Sequence, residues 1–201
     1  YGAFFEALLM PLLLVSGVWW LFNIVWILLY PKYSCYWYSS WTVRLMNGFF
    51  IFVPMVFALT ALQNKSSELV LLLLVLVWSV DSGAFFTGKA IGKHKLCPRI
   101  SPSKTVEGAI GGIVSTIGVM MLYVSFQLEN APGEQYFIFA ILALLVANAS
   151  IVGDLFESLY KRISNIKDSG NLLPGHGGIF DRIDSLTAAA PIFYLAYELL
   201  I

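Results

Sequence analysis

Between Lys161 and Asp184 the chain reads KRISNIKDSGNLLPGHGGIFDRID, a dense mixture of cations, carboxylates, glycines and one histidine set between two long apolar stretches. Ionisable groups are costly near hydrocarbon, so such a cluster beside membrane-length segments marks a functional site by default. Just upstream, Asp154, Glu157, Ser158 and Lys161 stand at i, i+3, i+4 and i+7, one stripe of an α-helix, and Asp181 and Asp184 repeat the i, i+3 spacing downstream. Two helix ends joined by the intervening loop can aim three of these carboxylates at a common point. Hard divalent cations take oxygen ligands, and Mg²⁺ in particular is held by one or two carboxylates together with substrate phosphates. Carboxylates converging from two helix ends are therefore candidates to hold such a cation, with a phosphate-bearing substrate as its natural completion. The competing reading makes the same residues helix salt bridges and cap charges, with Lys161, Arg162 and Arg182 as partners.

The loop offers the other half of a phosphate site. Pro174-Gly175-His176-Gly177-Gly178 can bring backbone N–H groups close to an anion, and Lys161, Arg162, Lys167 and Arg182 surround it with charge. His176 is open to three roles: hydrogen-bond donor to phosphate, which ranks first, general acid or base, or structural loop residue. A second basic stretch holds Lys89, Lys93, His94, Lys95 and Arg99, then Ser101-Pro102-Ser103-Lys104-Thr105. Ser103 or Thr105 can cap the helix that follows, whose N-terminus, with Lys104, suits an anion; a plain positive-inside loop explains the same charge. Asp81, inside an apolar segment, needs a partner, for which Lys104 and Arg162 are candidates. Gly83 to Ala90 imitates a phosphate-binding loop, but Ala90 replaces the hydroxyl residue that would meet Mg²⁺ and the stretch ends an apolar helix, so that reading is rejected.

The elements that must position these groups are membrane helices. A 201-residue chain that is 59% hydrophobic and 12% charged, with mean hydropathy +0.79, is too apolar for a soluble domain. Six segments, about 3–29, 42–63, 68–88, 105–126, 135–160 and 183–200, approach or exceed the roughly 20 residues needed to span hydrocarbon. The expected fold is all-α, a polytopic bundle of about six transmembrane helices forming a single catalytic domain over residues 1–201, with active-site loops at about 89–104 and 161–182. Pro54 and Pro191 are expected to kink their helices, and Gly88, Gly92, Gly108 and Gly112 have the spacing that lets membrane helices approach closely. Eleven of the twelve Lys and Arg residues fall in or beside the first, third and fifth connections. The positive-inside rule puts that face in the cytoplasm. A formal net charge of zero removes the case for a nucleic-acid binder, and Cys35 and Cys97 lack metal-ligand or disulfide spacing. The chain opens at Tyr1 without a basic leader, and the N-terminus is expected to be incomplete.

The segment Ser158–Asp184 resembles the motif of CDP-diacylglycerol synthases, the phosphatidate cytidylyltransferases. It matches at Ser158, Lys161, Arg162, Lys167, Asp168, Gly170, Leu173, Pro174, His176, Gly177, Gly178, Asp181, Arg182 and Asp184. The resemblance extends upstream through Val152 to Glu157, Ser101 to Thr105 and Asp81 to Ala84; Tyr160 replaces a usual aliphatic residue or Phe. It implies transfer of CMP from CTP to phosphatidic acid, giving CDP-diacylglycerol and pyrophosphate. Also implied are Mg²⁺ on Asp154, Asp181 and Asp184, room for a second cation such as K⁺, a homodimer, and a place in the inner membrane. On this resemblance Lys161, Arg162, Lys167, Asp168, His176 and Arg182 are the expected catalytic residues. Asp81, Lys89, Ser101, Lys104, Gly177 and Gly178 are expected to bind substrate. An ionised lipid phosphate needs no activated protein nucleophile to attack CTP; it needs charge neutralisation, positioning and a stabilised leaving group.

Two other classes fit the sequence less well. A CDP-alcohol phosphotransferase would carry a D-G-x2-A-R pattern, which is absent. A cation-coupled transporter would place polar groups at mid-membrane and repeat its halves; here the charge gathers at one face and no repeat is visible.

Overall fold

In hydrocarbon a backbone amide has no water to bond, so a long apolar stretch satisfies its own N–H and C=O groups by coiling into a helix. The computed structural model describes residues 2–32, 40–127, 132–166, 169–170 and 178–201, with side chains from Glu6 onward. Its helices are α1 (Gly2–Leu29), α2 (Trp41–Lys65), α3 (Ser67–Ile91), α4 (Val106–Gln127), α5 (Gly133–Ile163) and α6 (Phe180–Leu200). The first five are each long and apolar enough to cross a membrane, and the chain is a multi-pass membrane protein. The sixth carries Asp181, Arg182 and Asp184 in its first turns and is the more deeply buried helix, packed against α1, α2, α3 and α5. Helices continue through Pro11, Pro54 and Pro191.

The third connection, a basic loop in the sequence reading, contains two short strands. Lys95–Cys97 (β1) and Ser101–Thr105 (β2) form a two-stranded antiparallel hairpin, with Lys95 opposite Thr105 and Cys97 opposite Ser101. Its exit is capped as expected: the Thr105 hydroxyl accepts from the Gly108 amide at 3.1 Å, at the third position of α4. Glu107 faces back and accepts from the Lys93 and His94 amides at 3.1 and 3.2 Å and from the His94 ring at 2.6 Å, which ties the hairpin entrance to the same helix turn.

Small residues set the helix spacing. Added carbon at Gly83 of α3 would lie 2.8 Å from the Gly111 carbonyl of α4, and at Gly112 it would lie 2.8 Å from the Val80 carbonyl, so the two helices touch backbone to backbone. Ser115 donates to the Ser79 carbonyl at 2.7 Å across that seam. The α5–α6 pair meets in the same way, since a carbon on Gly153 would stand 2.6 Å from the Asp184 carbonyl. One buried cluster, with Leu13, Leu62, Leu73, Met120, Leu142 and Phe193, fills the end remote from the hairpin, where Lys65 and Glu198 pair at 2.5 Å. A second, with Trp20, Ile51, Ile100, Phe156 and Leu159, lies under the hairpin.

Candidate functional site

The ends of α3 and α5, the starts of α4 and α6 and the hairpin meet at one end of the bundle. α5 stops with Ser164 at its cap and Asn165 in the left-handed region at φ 53°. There the Ile166 amide donates to the Lys161 carbonyl at 3.0 Å and the Asn165 amide to the Arg162 carbonyl at 3.2 Å, the double closure of a Schellman turn. That turn leaves Asp154, Glu157 and Lys161 in the last three turns of α5, facing the first turns of α6.

Asp154, Glu157 and Asp184 each present a carboxylate oxygen within 4.8 Å of the others. Glu157 is 1% exposed, and among the described residues neither of its oxygens has a well-formed hydrogen bond; the Lys161 ammonium is its ion-pair partner. Asp184 accepts from the Ser185 amide at 2.6 Å, and Asp154 pairs with Lys104. Three hard oxygen donors, one of them buried with unfilled acceptor capacity, fit a divalent cation of the Mg²⁺ type.

The trio differs from the expected ligand set by one member. Asp181 stands beside it, joined through Lys161, whose ammonium lies 2.9 Å from the Asp181 carboxylate and also against Glu157. The other Asp181 oxygen accepts from the Ser169 amide at 2.9 Å, the Ser169 hydroxyl at 2.7 Å and the Gly178 amide at 2.7 Å. Glu157 belongs to the acidic stripe of the sequence but not to the ligand set that the resemblance implies; its three-residue spacing from Asp154 is the signal that places it on the same helix face.

A cavity of about 490 Å³ opens against this cluster between α3, the hairpin, α4 and α5. Lys89, Lys104, Ser103, Thr105, Asp81 and Asp154 supply its polar wall, and Val80, Ala84, Phe85 and Ile151 its apolar wall. Of the residues expected to bind substrate, Asp81, Lys89 and Lys104 thus line one space. Asp81 sits on the open side of α3, and its electrostatic neighbours include Lys104 and Asp154. Ser101 is buried at the start of β2, its hydroxyl 3.5 Å from that of Ser103. Gly178 contributes its amide to Asp181. Arg162 is exposed and sends its Nε to the Ile100 carbonyl at 2.9 Å, fastening the hairpin turn to α5, while Lys104 is the candidate partner that stands among the electrostatic neighbours of Asp81. Arg182 is exposed on the first turn of α6. Lys167, Asp168, His176 and Gly177 lie outside the described residues. Cys97, half-buried in β1, has its thiol pushed up by burial, with the Lys104 charge opposing. The stretch from Gly83 to Ala90 is helical throughout.

Comparison with known proteins adds an independent line. A profile described as the Cytidylyltransferase family matches residues 2–200. The chain is 38% identical over 205 aligned positions to a phosphatidate cytidylyltransferase of Haemophilus influenzae, covering 98% of this chain and 71% of that one. It is 46% identical to the protein of the same name from Pseudomonas aeruginosa, over 90% of this chain and 66% of that one. With the Bacillus subtilis protein of that name the identity is 47% over 62% of this chain and 45% of the other.

Proposed function

Since the chain belongs to the cytidylyltransferase family, we propose that it is a nucleotidyltransferase that moves CMP from CTP to phosphatidic acid, releasing pyrophosphate and forming CDP-diacylglycerol. The observation that carries this reading is the juxtaposition of a lysine-lined, partly apolar cavity with a carboxylate trio at the end of membrane helices. One substrate is a water-soluble polyphosphate and the other a phosphate on two acyl chains, and the site offers a polar and an apolar wall at the same place.

Asp154, Glu157 and Asp184 would hold a divalent cation, which we read as Mg²⁺. When bound, it supplies charge neutralisation on the phosphoryl oxygens and the departing pyrophosphate. A second, monovalent cation such as K⁺ belongs to the same reading. The chain's own residues do the rest. Lys89 and Lys104 receive the lipid phosphate in the cavity, with the capped N-terminus of α4 behind them. Arg182, the Gly178 region and the remaining cations of the 161–182 loop, Lys167 and His176 among them, receive the CTP phosphates. A lipid phosphate oxygen then forms its bond to the α-phosphorus as the bond to pyrophosphate breaks. The attacking phosphate is already ionised near neutrality, so no protein base has to take a proton. Lys161 holds Glu157 and Asp181 in register, and Asp181 fastens the loop.

The basic residues gathered at the hairpin end support a cytoplasmic site on the inner membrane, and the resemblance supports a homodimer acting as one catalytic unit per chain. In detergent micelles, labelled CTP and phosphatidic acid with Mg²⁺ should yield labelled CDP-lipid. Asp154→Ala and Asp184→Ala should each lower that rate at least about a hundredfold, the scale of losing a main electrostatic contribution. Full activity in both variants would sink the metal assignment.

A further inference from the structure

We propose that Trp19, Asn47 and Tyr160 form a positioning network that sets the rotation of the last turns of α5 and so the fit of the carboxylate trio to its cation. This inference rests on the reading of Asp154, Glu157 and Asp184 as a cation site.

Asn47, on α2, is 1% exposed, and a buried amide in low dielectric is costly unless both of its ends are bonded. They are bonded to two different helices. Its oxygen accepts from the Trp19 indole of α1 at 3.0 Å, and its nitrogen donates to the Tyr160 hydroxyl of α5. A second, apolar path runs alongside: Trp20 packs edge-on against Phe156 at 5.5 Å, and Phe156 lies against the Tyr160 ring at 4.7 Å. Adjacent tryptophans of α1 therefore reach the same tyrosine by two routes, one ending on its hydroxyl and one on its ring.

Tyr160 is well placed to act on the site without entering it. At 3.6 residues per turn it lies about a quarter turn round α5 from the Asp154–Lys161 stripe. Earlier on α5, Gly153 pins the helix to the Asp184 backbone. Beyond that contact Tyr160 is a lateral tether, one residue before the lysine that bridges Glu157 and Asp181. A 20° rotation about the helix axis would swing a carboxylate at a radius of about 6 Å through about 2 Å. Productive constellations tolerate only about 0.5 Å. The rotation of α5 must therefore be held, and in this chain, where Tyr160 stands in place of the aliphatic residue or Phe usual in the resembled motif, the hydroxyl adds a directed bond to the ring packing.

The test uses direct Mn²⁺ binding, followed by the electron paramagnetic resonance signal of the free ion, on the purified full chain in detergent. Tyr160→Phe, which removes one oxygen, should raise the Mn²⁺ dissociation constant about threefold to tenfold, the range expected from one interhelical hydrogen bond in a membrane protein. Asn47→Leu should do the same, and the double variant should be no worse than the poorer single one, because both cut the same path. Melting of Tyr160→Phe should stay within about 4 °C of the parent, the range of a sub-kilocalorie change in a chain of this size. As a control, Glu198→Gln at the opposite end of the bundle should leave Mn²⁺ binding unchanged. Unaltered Mn²⁺ affinity in Tyr160→Phe and Asn47→Leu, or fully additive losses, would overturn the network while leaving the cation site standing. Failure of the parent chain to bind Mn²⁺ at all would instead overturn the cation reading, and this inference with it.

Discussion

Both carboxylate oxygens of Asp181 are engaged by the protein: one by Lys161, the other by two donors of Ser169 and the amide of Gly178. Asp184, three residues on, has one backbone donor and an oxygen within 4.8 Å of two other carboxylates. The two aspartates share a helix face and a spacing and yet stand in different chemistry. Asp181→Asn keeps the size while weakening a charge-assisted cluster whose individual bonds are each worth about 1.5–3 kcal/mol. It should lower kcat about tenfold or more and change Mn²⁺ affinity less than about twofold, whereas Asp184→Asn should weaken Mn²⁺ binding strongly. Equal losses of affinity in the two variants would return Asp181 to the ligand set. Periodicity could show that Asp154, Glu157, Asp181 and Asp184 face one another, because i, i+3 spacing fixes a face within each helix. It could not show which pair α6 brings closest, since that depends on the rotation of one helix against another. Asn47 and Tyr160 were illegible for a related reason: 113 residues separate them, and neither has a local signature.

Helix ends were the easiest elements to read and the hairpin the hardest. Thr105, one of the two cap candidates in the sequence, caps α4, whereas α5 runs about a turn past its apolar stretch before Asn165 closes it from the left-handed region. Strands of three and five residues carry too short an alternation to distinguish from a basic loop, and the ties that hold them, Arg162 to Ile100 and Glu107 to His94, come from other elements. The small-residue spacing on α3 and α4 was legible as close packing. Its consequence is severe at Gly111, where an added carbon would strike the Thr87 side chain, and Gly111→Leu would force the two helices apart. Overpacking of this kind costs about 1–3 kcal/mol. Gly111→Leu should lower the melting temperature in detergent by several degrees, and because the cavity lies between the same helices it should also raise KM for the lipid more than KM for CTP. A variant with unchanged melting and lipid KM would show that the seam has slack.

At the scale of the whole chain, connections alternate between two ends, and the cations at the hairpin end outnumber those at the other. In a background with Cys35→Ser and Cys97→Ser, Asn64→Cys should react with an impermeant maleimide on intact spheroplasts. Lys93→Cys should react only after the membrane is opened; the reverse order would invert the orientation. The expectation of six helices rested on length and apolarity, which sufficed for five of them; α6 owes its place to burial by its neighbours, and its charged first turns are the reason its sequence signal is weaker. One further consequence concerns the bilayer itself. Asp81 opens to the cavity ten residues before the end of α3 at Ile91, about 15 Å along the helix axis. A carboxylate that far from the helix end persists where water reaches it or an opposite charge faces it, and here the open cavity and Lys104 offer both. If the helix end marks the level of the interface, the cavity carries a polar surface well below it on the α3 side, and the boundary between water and hydrocarbon is expected to dip there rather than run as a flat plane.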